Sequence, residues 1–528
     1  MKLEDWFLTA EERDNPDTRL EAWTTGNLVR PLVHGACYFA ELKARVDRLG
    51  KDDLLLFADW RGDPDERLTD DGPGVARVLA LAAERGALVR GLIWRSHLDR
   101  LRFSAAENRH LGEDVEAAGG QALLDTRVRP GGSHHQKFVV LRHDREPDRD
   151  VAFVGGIDLC HSRRDDAAHH GDPQAAPMPR VYGARPPWHD AQVSISGPAV
   201  AEVEKIFCER WEDPAPETRQ PIRRLRDHLE RMDDMPPLPP PGPPPAPVGP
   251  HAVQLLRTYP YRRRPYPFAR RGERSVARAY RKVLRNARSL VYLEDQYLWS
   301  TEVVEPFAEA LEREPDLRMI IVVPRHPDQD GWLAGPASLI GRADALARLR
   351  QAGGDRVAVY DLENHAGTPV YVHAKVCVVD DVWASVGSDN VNLRSWTNDS
   401  ELSCAVIDER PDPRPPGGAR RFARELRLTM AAEHLDRAEG DPCDDGAFPE
   451  GLDELCDPVV AFEAFAASAE RLESWHRGGR RGPRPPGRLR PHPAPEIGRL
   501  RRRLAMPLYR LAVDPDGRPP DLRRSGEF

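Results

Sequence analysis

The chain has 528 residues, a net charge of −8, 40% hydrophobic residues, 51 prolines and 40 glycines. Such a length exceeds one ordinary core and predicts several domains with long loops or linkers between them. The acidic balance excludes polyanion binding by bulk attraction, and no apolar run reaches the roughly 18 residues of a membrane helix. The seven cysteines are odd in number and form no CxxC pair. They argue against a disulfide framework or a cysteine zinc site and for a reducing compartment. The N-terminal MKLEDWFLTAEERDNP lacks the basic and apolar regions of a secretion signal. A cytoplasmic protein that visits a membrane surface is expected.

In chain order, DLLLFADW (53–60) reads as a buried strand, GVARVLALAAERG (74–86) as a helix and ALVRGLIWRSH (87–97) as a second strand. AENRHLGEDVEAAGG then gives a helix with a glycine stop, QALLD a strand, and HHQKFVVL follows. PPLPPPGPPPAPVGP (236–250) is an extended polyproline-II linker. Beyond it the same series returns: SLVYLEDQYLW (289–299), the helix VVEPFAEALERE, the strand LRMIIVVPRH (317–326), the helix ASLIGRADALARLRQAGG, the strand DRVAVYD, then HAKVCVVD. Asp59 and Asp295 are 236 positions apart, and His135 and His373 are 238 apart. The period is too long for a solenoid and predicts two related α/β domains, over 1–235 and 251–465, in pseudo-twofold relation. Residues 466–528, rich in Arg and Pro, read as a tail packed over the domains, with anionic lipid or nucleic-acid phosphates as candidate partners.

Lysine is rare, at only seven positions, yet Lys137 and Lys375 each stand two residues after a histidine, at matching places in the repeat. On a strand, residues i and i+2 share a face, so His135 with Lys137 and His373 with Lys375 are each expected to point together. Downstream, FVGGIDL (153–159) and ASVGSDNVNLRS (384–395) supply glycines for close backbone approach. Asp190 and Glu401 supply one carboxylate per half to hold a histidine in one tautomer. Two imidazoles, two ammoniums and an Asn suit a phosphodiester. One histidine attacks phosphorus, the other serves as acid and base, and the lysines neutralise the phosphoryl oxygens.

These segments resemble the phospholipase D superfamily, whose signature is H-x-K-x4-D in two copies. HAKVCVVD (373–380) matches it throughout; HQKFVVLR (135–142) has Arg142 in the Asp place. GSDN (387–390) resembles the G-S-x-N element, with GGID (155–158) as its first-half counterpart. LEDQYL, PWHD, FCERW and LRLTMAAEHL resemble further family segments, so the likeness spans roughly residues 30–440. It implies two tandem α/β/α sandwich domains with the active site at their interface, in one monomeric chain. His135 would be the nucleophile that forms a phosphohistidine, and His373 the acid and base. Lys137, Lys375, Asn390, Ser388 and Asp158 would bind phosphate, while Asp190 and Glu401 orient the histidines. His373 and Asp380 are seven apart and face opposite sides of a strand, so Asp380 is expected to be structural, and Arg142 to alter a turn or a buried salt bridge, with Asp144 compensating.

The implied activity is hydrolysis of the head-group phosphodiester of glycerophospholipids to phosphatidic acid, with transfer to an alcohol as a second outcome. No cofactor and no metal is expected, and nucleic acid is not the expected partner. A cardiolipin-synthase-like transferase, a nuclease and a non-catalytic lipid binder are the alternatives. HSRRDDAAHHGD (161–172) offers His161, Asp165, His169 and His170 as metal ligands but reads better as a solvated loop. Trp188 and YPYRRRPYPF (259–268) read as packing or lipid contact.

Overall fold

The computed structural model describes residues 1–96, 105–213, 237–328, 334–437, 451–495 and 497–528. The first half supplies β1 (Thr24–Val33), β2 (Leu54–Asp59), β3 (Leu88–Trp94), β4 (Gln121–Asp125), β5 (Phe138–Arg142), β6 (Val151–Gly155), the short β7 (Trp188–His189) and β8 (Ala191–Ser196). The second supplies β9 (His251–Tyr259), β10 (Glu273–Arg274), β11 (Leu290–Glu294), β12 (Arg318–Val322), β13 (Val357–Glu363), β14 (Pro369–Val372), β15 (Val376–Val379), β16 (Trp383–Gly387) and β17 (Glu401–Asp408), and β18 (Leu489–Pro491) follows.

The first sheet runs β4-β3-β2-β5-β6-β8-β1, parallel from β4 to β2 and antiparallel beyond. The second runs β13-β12-β11-β15-β16-β17-β9 with the same directions. The repeat in sequence is therefore a repeat of topology. Parallel central strands are covered on both faces, which is why LLLFAD in β2 is buried at every position. The strand expected over 289–299 ends at Glu294. The Asp295 carboxylate accepts the backbone N–H groups of Tyr297, Leu298 and Val391, which bends the chain out of the sheet.

The packing shows why the two halves do not stand apart. On its outer face each sheet has its own core, with helices 35–46 and 75–84 for the first and 275–286 and 301–313 for the second. The inner faces share one core: Leu56, Val140 and Val154 from the first sheet join Ile320, Val378 and Val386 from the second, with helices Ala199–Trp211 and Arg421–His434 between them. The sheets also meet directly where β1 pairs with β9.

The Pro-rich segment is tied to the first half. Val248 and Gly249 donate to the Gly26 carbonyl, and Arg142 donates to the Pro243 carbonyl at 2.7 Å. Position 466 falls within the helix Pro458–Arg477. After it, β18 adds to the sheet beside β13, and the helix Arg499–Leu508 docks on 334–353 through Arg502 and Asp344 at 2.6 Å. Five cysteines, Cys160, Cys208, Cys377, Cys404 and Cys456, are free; Cys37 is disulfide-bonded, against the expectation of thiols throughout. Cys443 lies outside the described residues. Among the described residues no helix is long and apolar enough to cross a membrane.

Arg142 closes β5 by pairing with Asp150 at 3.3 Å and Glu204 at 3.4 Å, both buried. In the second half the Asp380 carboxylate instead receives the backbone N–H groups of Arg288, Ser289 and Leu290 at the start of β11. In the first half that strand-start link is reversed: Asp53, just before β2, accepts from the Asp144 backbone. The compensating carboxylate is thus Asp53, and Asp144 contributes only its N–H. Arg142→Asp would set three carboxylates together. We expect a loss of about 3–5 kcal/mol in a denaturant melt, with no gain in turnover per folded molecule.

Candidate active site

His135–Lys137 and His373–Lys375 lie just ahead of β5 and β15 rather than within them. Each precedes a strand that is central in its sheet, and each pairs through its backbone with the opposite half. His135 N–H donates to Ser400 O at 2.9 Å, and Ser400 N–H to Ser133 O at 2.9 Å. On the other side β14 pairs with β7 in parallel, Tyr371 opposite Trp188 and Val372 opposite His189, and His373 N–H donates to His189 O at 2.8 Å. Ser400 precedes Glu401 and His189 precedes Asp190. The chain therefore brings each histidine to the carboxylate of the other half. His135 Nδ1 lies 2.9 Å from Glu401 Oε2, and His373 Nδ1 lies 2.6 Å from Asp190 Oδ2. Both rings keep Nε2 for chemistry.

Small residues make these approaches feasible. A Cβ on Gly156 would stand 2.3 Å from Asp190 Oδ1, and one on Gly387 would stand 1.7 Å from Ser403 Oγ. The Asp190 carboxylate also receives Ala191 N–H at 2.9 Å and Trp188 Nε1–H at 3.3 Å. Glu401 accepts from Ser388 Oγ at 2.6 Å.

Both ammoniums are buried. Lys137 Nζ donates to His135 O at 2.9 Å; Lys375 Nζ donates to His373 O and, at 3.2 Å, to Gln296 Oε1. Burial, then the neighbouring Lys375, depresses His373 to about 3; burial followed by Lys137 and Lys375 carries His135 well below the ordinary histidine range. Burial lowers Lys375 to about 8, with Lys137 adding to the effect and Asp190 opposing it. Although burial opposes it, the interaction and hydrogen bond with the His373 ring hold Asp190 below the ordinary carboxylate range. Burial and then Asp399 push Glu401 up. Burial beside two lysines thus favours the neutral form of both imidazoles, and the negative charge of a phosphodiester would oppose that effect.

The structure brings together His135, Lys137, Asp190, His373, Lys375 and Glu401. Asn390 is buried nearby in sequence, with its Oδ1 unpaired. Two expected phosphate ligands take other places. Ser388 is spent on Glu401 and on the Leu402 backbone. Asp158 is a carboxylate 3.6 Å from Lys137 and 3.8 Å from Arg163, so it offers phosphate no donor and instead balances two cations. Asp380, just past the end of β15, is a backbone acceptor; the parity argument does not reach it, because His373 stands ahead of the strand.

Sequence reasoning passed over Gln296, Arg163 and Trp60. Gln296 meets Lys375 and donates to Tyr371 OH at 2.7 Å. Arg163 lies over the Trp188 ring at 4.0 Å, and Trp188 packs on the His373 ring at 5.0 Å. Lys137 Nζ stands 5.9 Å from the Trp60 ring. The repeat could have flagged Gln296, which follows the matched Asp295; nothing local marked Arg163. The 161–172 stretch is not wholly solvated. His161 and His170 are partly or fully exposed, but Asp165 and His169 are buried. Tyr259, Tyr266 and Phe268 form a buried aromatic cluster, so that run packs.

A family model described as Phospholipase D matches residues 119–237, and one described as Cardiolipin synthase, PLD-like domain, matches 280–412. Phospholipase D A of Dictyostelium discoideum is 28% identical over 367 residues, covering 57% of this chain and 27% of that protein. Phospholipase D alpha 2 of Oryza sativa subsp. japonica is 27% identical over 422 residues, covering 60% of this chain and 50% of that one. The chain spans half or less of these two relatives' length. A solved phosphatidylserine synthase from Haemophilus influenzae is 13% identical, with a TM-score of 0.49 over 83% of this chain and 94% of that one. One matched segment in each half, together with these relatives, supports the phospholipid-cleaving phospholipase D superfamily as the one this chain resembles.

Proposed function

We propose that the protein is a phosphodiesterase that cleaves the head group from glycerophospholipids through a phosphohistidine. The observation that carries this reading is the crosswise pairing of His135 with Glu401 and His373 with Asp190, beside two buried lysines. His135 Nε2 attacks phosphorus and forms a P–N bond. The P–O bond to the head group breaks, and its oxygen takes a proton from His373 Nε2. Water then gives a proton back to His373 and attacks phosphorus, breaking the P–N bond and releasing phosphatidic acid. An alcohol in place of water gives a phosphatidyl alcohol. Lys137 and Lys375 meet the phosphoryl oxygens as charge develops. We place the acid at His373 because Asp190 receives two further N–H donors that support its negative charge, and an anionic partner steadies an imidazolium.

The test is head-group release from a panel of phospholipid vesicles, with and without a primary alcohol. Release with phosphatidyl-alcohol formation, lost in His135→Ala, supports the reading. Alcohol transfer without hydrolysis would favour a phosphatidyltransferase, the reading suggested by the second-half family match. No release from any lipid would sink the proposal. The pH dependence has a definite sign. Lys375 carries its charge below about pH 8 and loses it above. The value of kcat/KM, which reports the free enzyme, is expected to fall as pH passes about 8, well before an ordinary lysine would titrate.

Substrate in a bilayer calls for a surface that meets it, and the helix Arg499–Leu508 with its continuation to Val513 supplies one. Leu500, Leu504, Leu508 and Leu511 are exposed, at 73%, 57%, 38% and 80%, and fall on one stripe at helical spacing. Exposed Arg499, Arg501, Arg503 and Arg510 flank it. This arrangement suits the surface of an anionic membrane. Leu504→Asp with Leu511→Asp is expected to weaken sedimentation with anionic vesicles at least about tenfold and to leave turnover of a short-chain, monomeric lipid unchanged. Equal sedimentation of wild type and variant would remove the helix from the proposal.

A further inference from the structure

Behind the catalytic groups, at the junction of the two halves, lies a second cluster of chemistry-bearing side chains with no part in the proposed phosphoryl transfer. His34 follows β1, His169 comes from the loop after β6, His189 from β7, and Glu433 from the helix Arg421–His434. His34, His169 and His189 are fully buried, and Glu433 is 6% exposed. One ligand atom from each of the four lies within 4.8 Å of all the others. His34 Nε2 is 2.5 Å from Glu433 Oε2, His169 Nε2 is 2.9 Å from Oε1, and His189 Nδ1 is 3.2 Å from Oε1. Three rings from three separate segments thus turn one nitrogen each toward a single carboxylate.

The outward nitrogens are as informative. His189 Nε2 lies 2.5 Å from Glu294 Oε2, and Glu294 is itself held by His434 Nε2 at 2.8 Å and by Tyr292 OH. His169 Nδ1 donates to the Trp188 carbonyl at 3.1 Å. Among the three, only His34 leaves its outer nitrogen, Nδ1, without a hydrogen-bond partner. A carboxylate or a backbone carbonyl on the far nitrogen is what fixes a metal-binding imidazole, because it places the proton outside and the lone pair inside. A network held only by hydrogen bonds needs protons on the inward nitrogens as well. For His169 and His189, whose outer nitrogens are already committed, that means two buried imidazolium rings with centroids 5.7 Å apart.

We propose that His34, His169, His189 and Glu433 form a closed, four-coordinate zinc site that staples the two halves together. Three imidazoles and a carboxylate are a borderline-soft set that suits Zn²⁺. Zinc bonds of about 2.0–2.1 Å put tetrahedral ligand atoms about 3.4 Å apart, within the span seen here. The four protein ligands leave no open position, which makes the role structural. The second triad, His189, Glu294 and His434, shares His189 but offers only three ligands. It serves the first as outer support. The site reaches catalysis through the backbone. The His189 carbonyl accepts from His373 N–H and Ala374 N–H, and the next residue is Asp190. His189 is thereby a positioning residue for the Asp190–His373 pair.

The experiment is metal analysis of the untagged full-length chain, purified without chelator, by elemental mass spectrometry. About one zinc per chain is expected to survive gel filtration. His169→Gln and Glu433→Gln are expected to lower it at least about tenfold, while His161→Gln, on the same loop but outside the cluster, keeps it. Where those variants fail to fold, the wild type alone decides. Exchange of the metal for Co²⁺ should give the visible bands of a four-coordinate ion without thiolate charge transfer. Folded wild-type protein that carries no stoichiometric zinc, takes none from ZnCl₂ and shows no shift in Tm on adding it would overturn the proposal. So would equal zinc in wild type and folded cluster variants. None of these readouts depends on lipid cleavage, so the proposed activity and the metal site stand or fall separately.

Discussion

His373→Ala is expected to stop turnover of a lipid with a poor leaving group, such as a choline ester, by about 10³–10⁴-fold. It should still release one equivalent of p-nitrophenol from a phosphatidyl p-nitrophenyl ester. Removal of the acid leaves His135, its Glu401 partner and both lysines in place, so attack on phosphorus survives wherever the leaving oxygen needs no proton. The second half-reaction needs a base for water, and that base is gone. The phosphatidyl group should therefore remain on His135 as an acid-labile adduct, visible by mass spectrometry of the intact chain. His135→Ala should give neither burst nor adduct. A burst in His135→Ala with none in His373→Ala would exchange the two roles, and a burst in neither would remove the covalent intermediate.

The second large effect comes from a residue that touches no substrate. Gly156→Ala would put a methyl carbon 2.3 Å from Asp190 Oδ1. Gly156 does not need a left-handed backbone, so the change brings no strain of that kind. The carboxylate must move, and with it the 2.6 Å contact that sets the His373 ring. Displacement of a catalytic group by about 1 Å costs on the order of 10²-fold in kcat. KM should change little, because Lys137 and Lys375 are left where they are. A fall in kcat of that size with an unaltered far-ultraviolet spectrum would support the assignment. An unchanged kcat would show that Asp190 does not govern His373.

Much of this was legible along the chain. The rarity of lysine made two His-x-Lys pairs conspicuous, and the recurring order of apolar runs located β2 to β4 and β11 to β13 to within a few residues, because buried parallel strands and glycine-stopped helices leave local marks. Asp380 was expected to be structural, and it accepts backbone N–H groups at the start of β11, although the parity argument behind that expectation assumed a strand that does not reach His373. The errors have physical causes as well. Asp158 looked like a phosphate ligand by its place in the repeat, but its charge suits it to Lys137 and Arg163. The 161–172 loop looked solvated because its composition is polar, while His169 finds partners on segments far away in sequence.

What the sequence by itself determined is the inventory: two α/β halves, two histidines, two lysines, two carboxylates and their matching spacing. Which carboxylate serves which histidine was decided only in three dimensions. The backbone pairing of Ser133 and His135 with Ser400, and of β14 with β7, crosses the halves, so partners 183 and 266 residues apart meet while those within one half do not. The same crossing gathers His34, His169, His189 and Glu433 around one point. Local propensity carries no information about contacts of that range; they are settled by the shared core, where the inner faces of both sheets are buried against common helices.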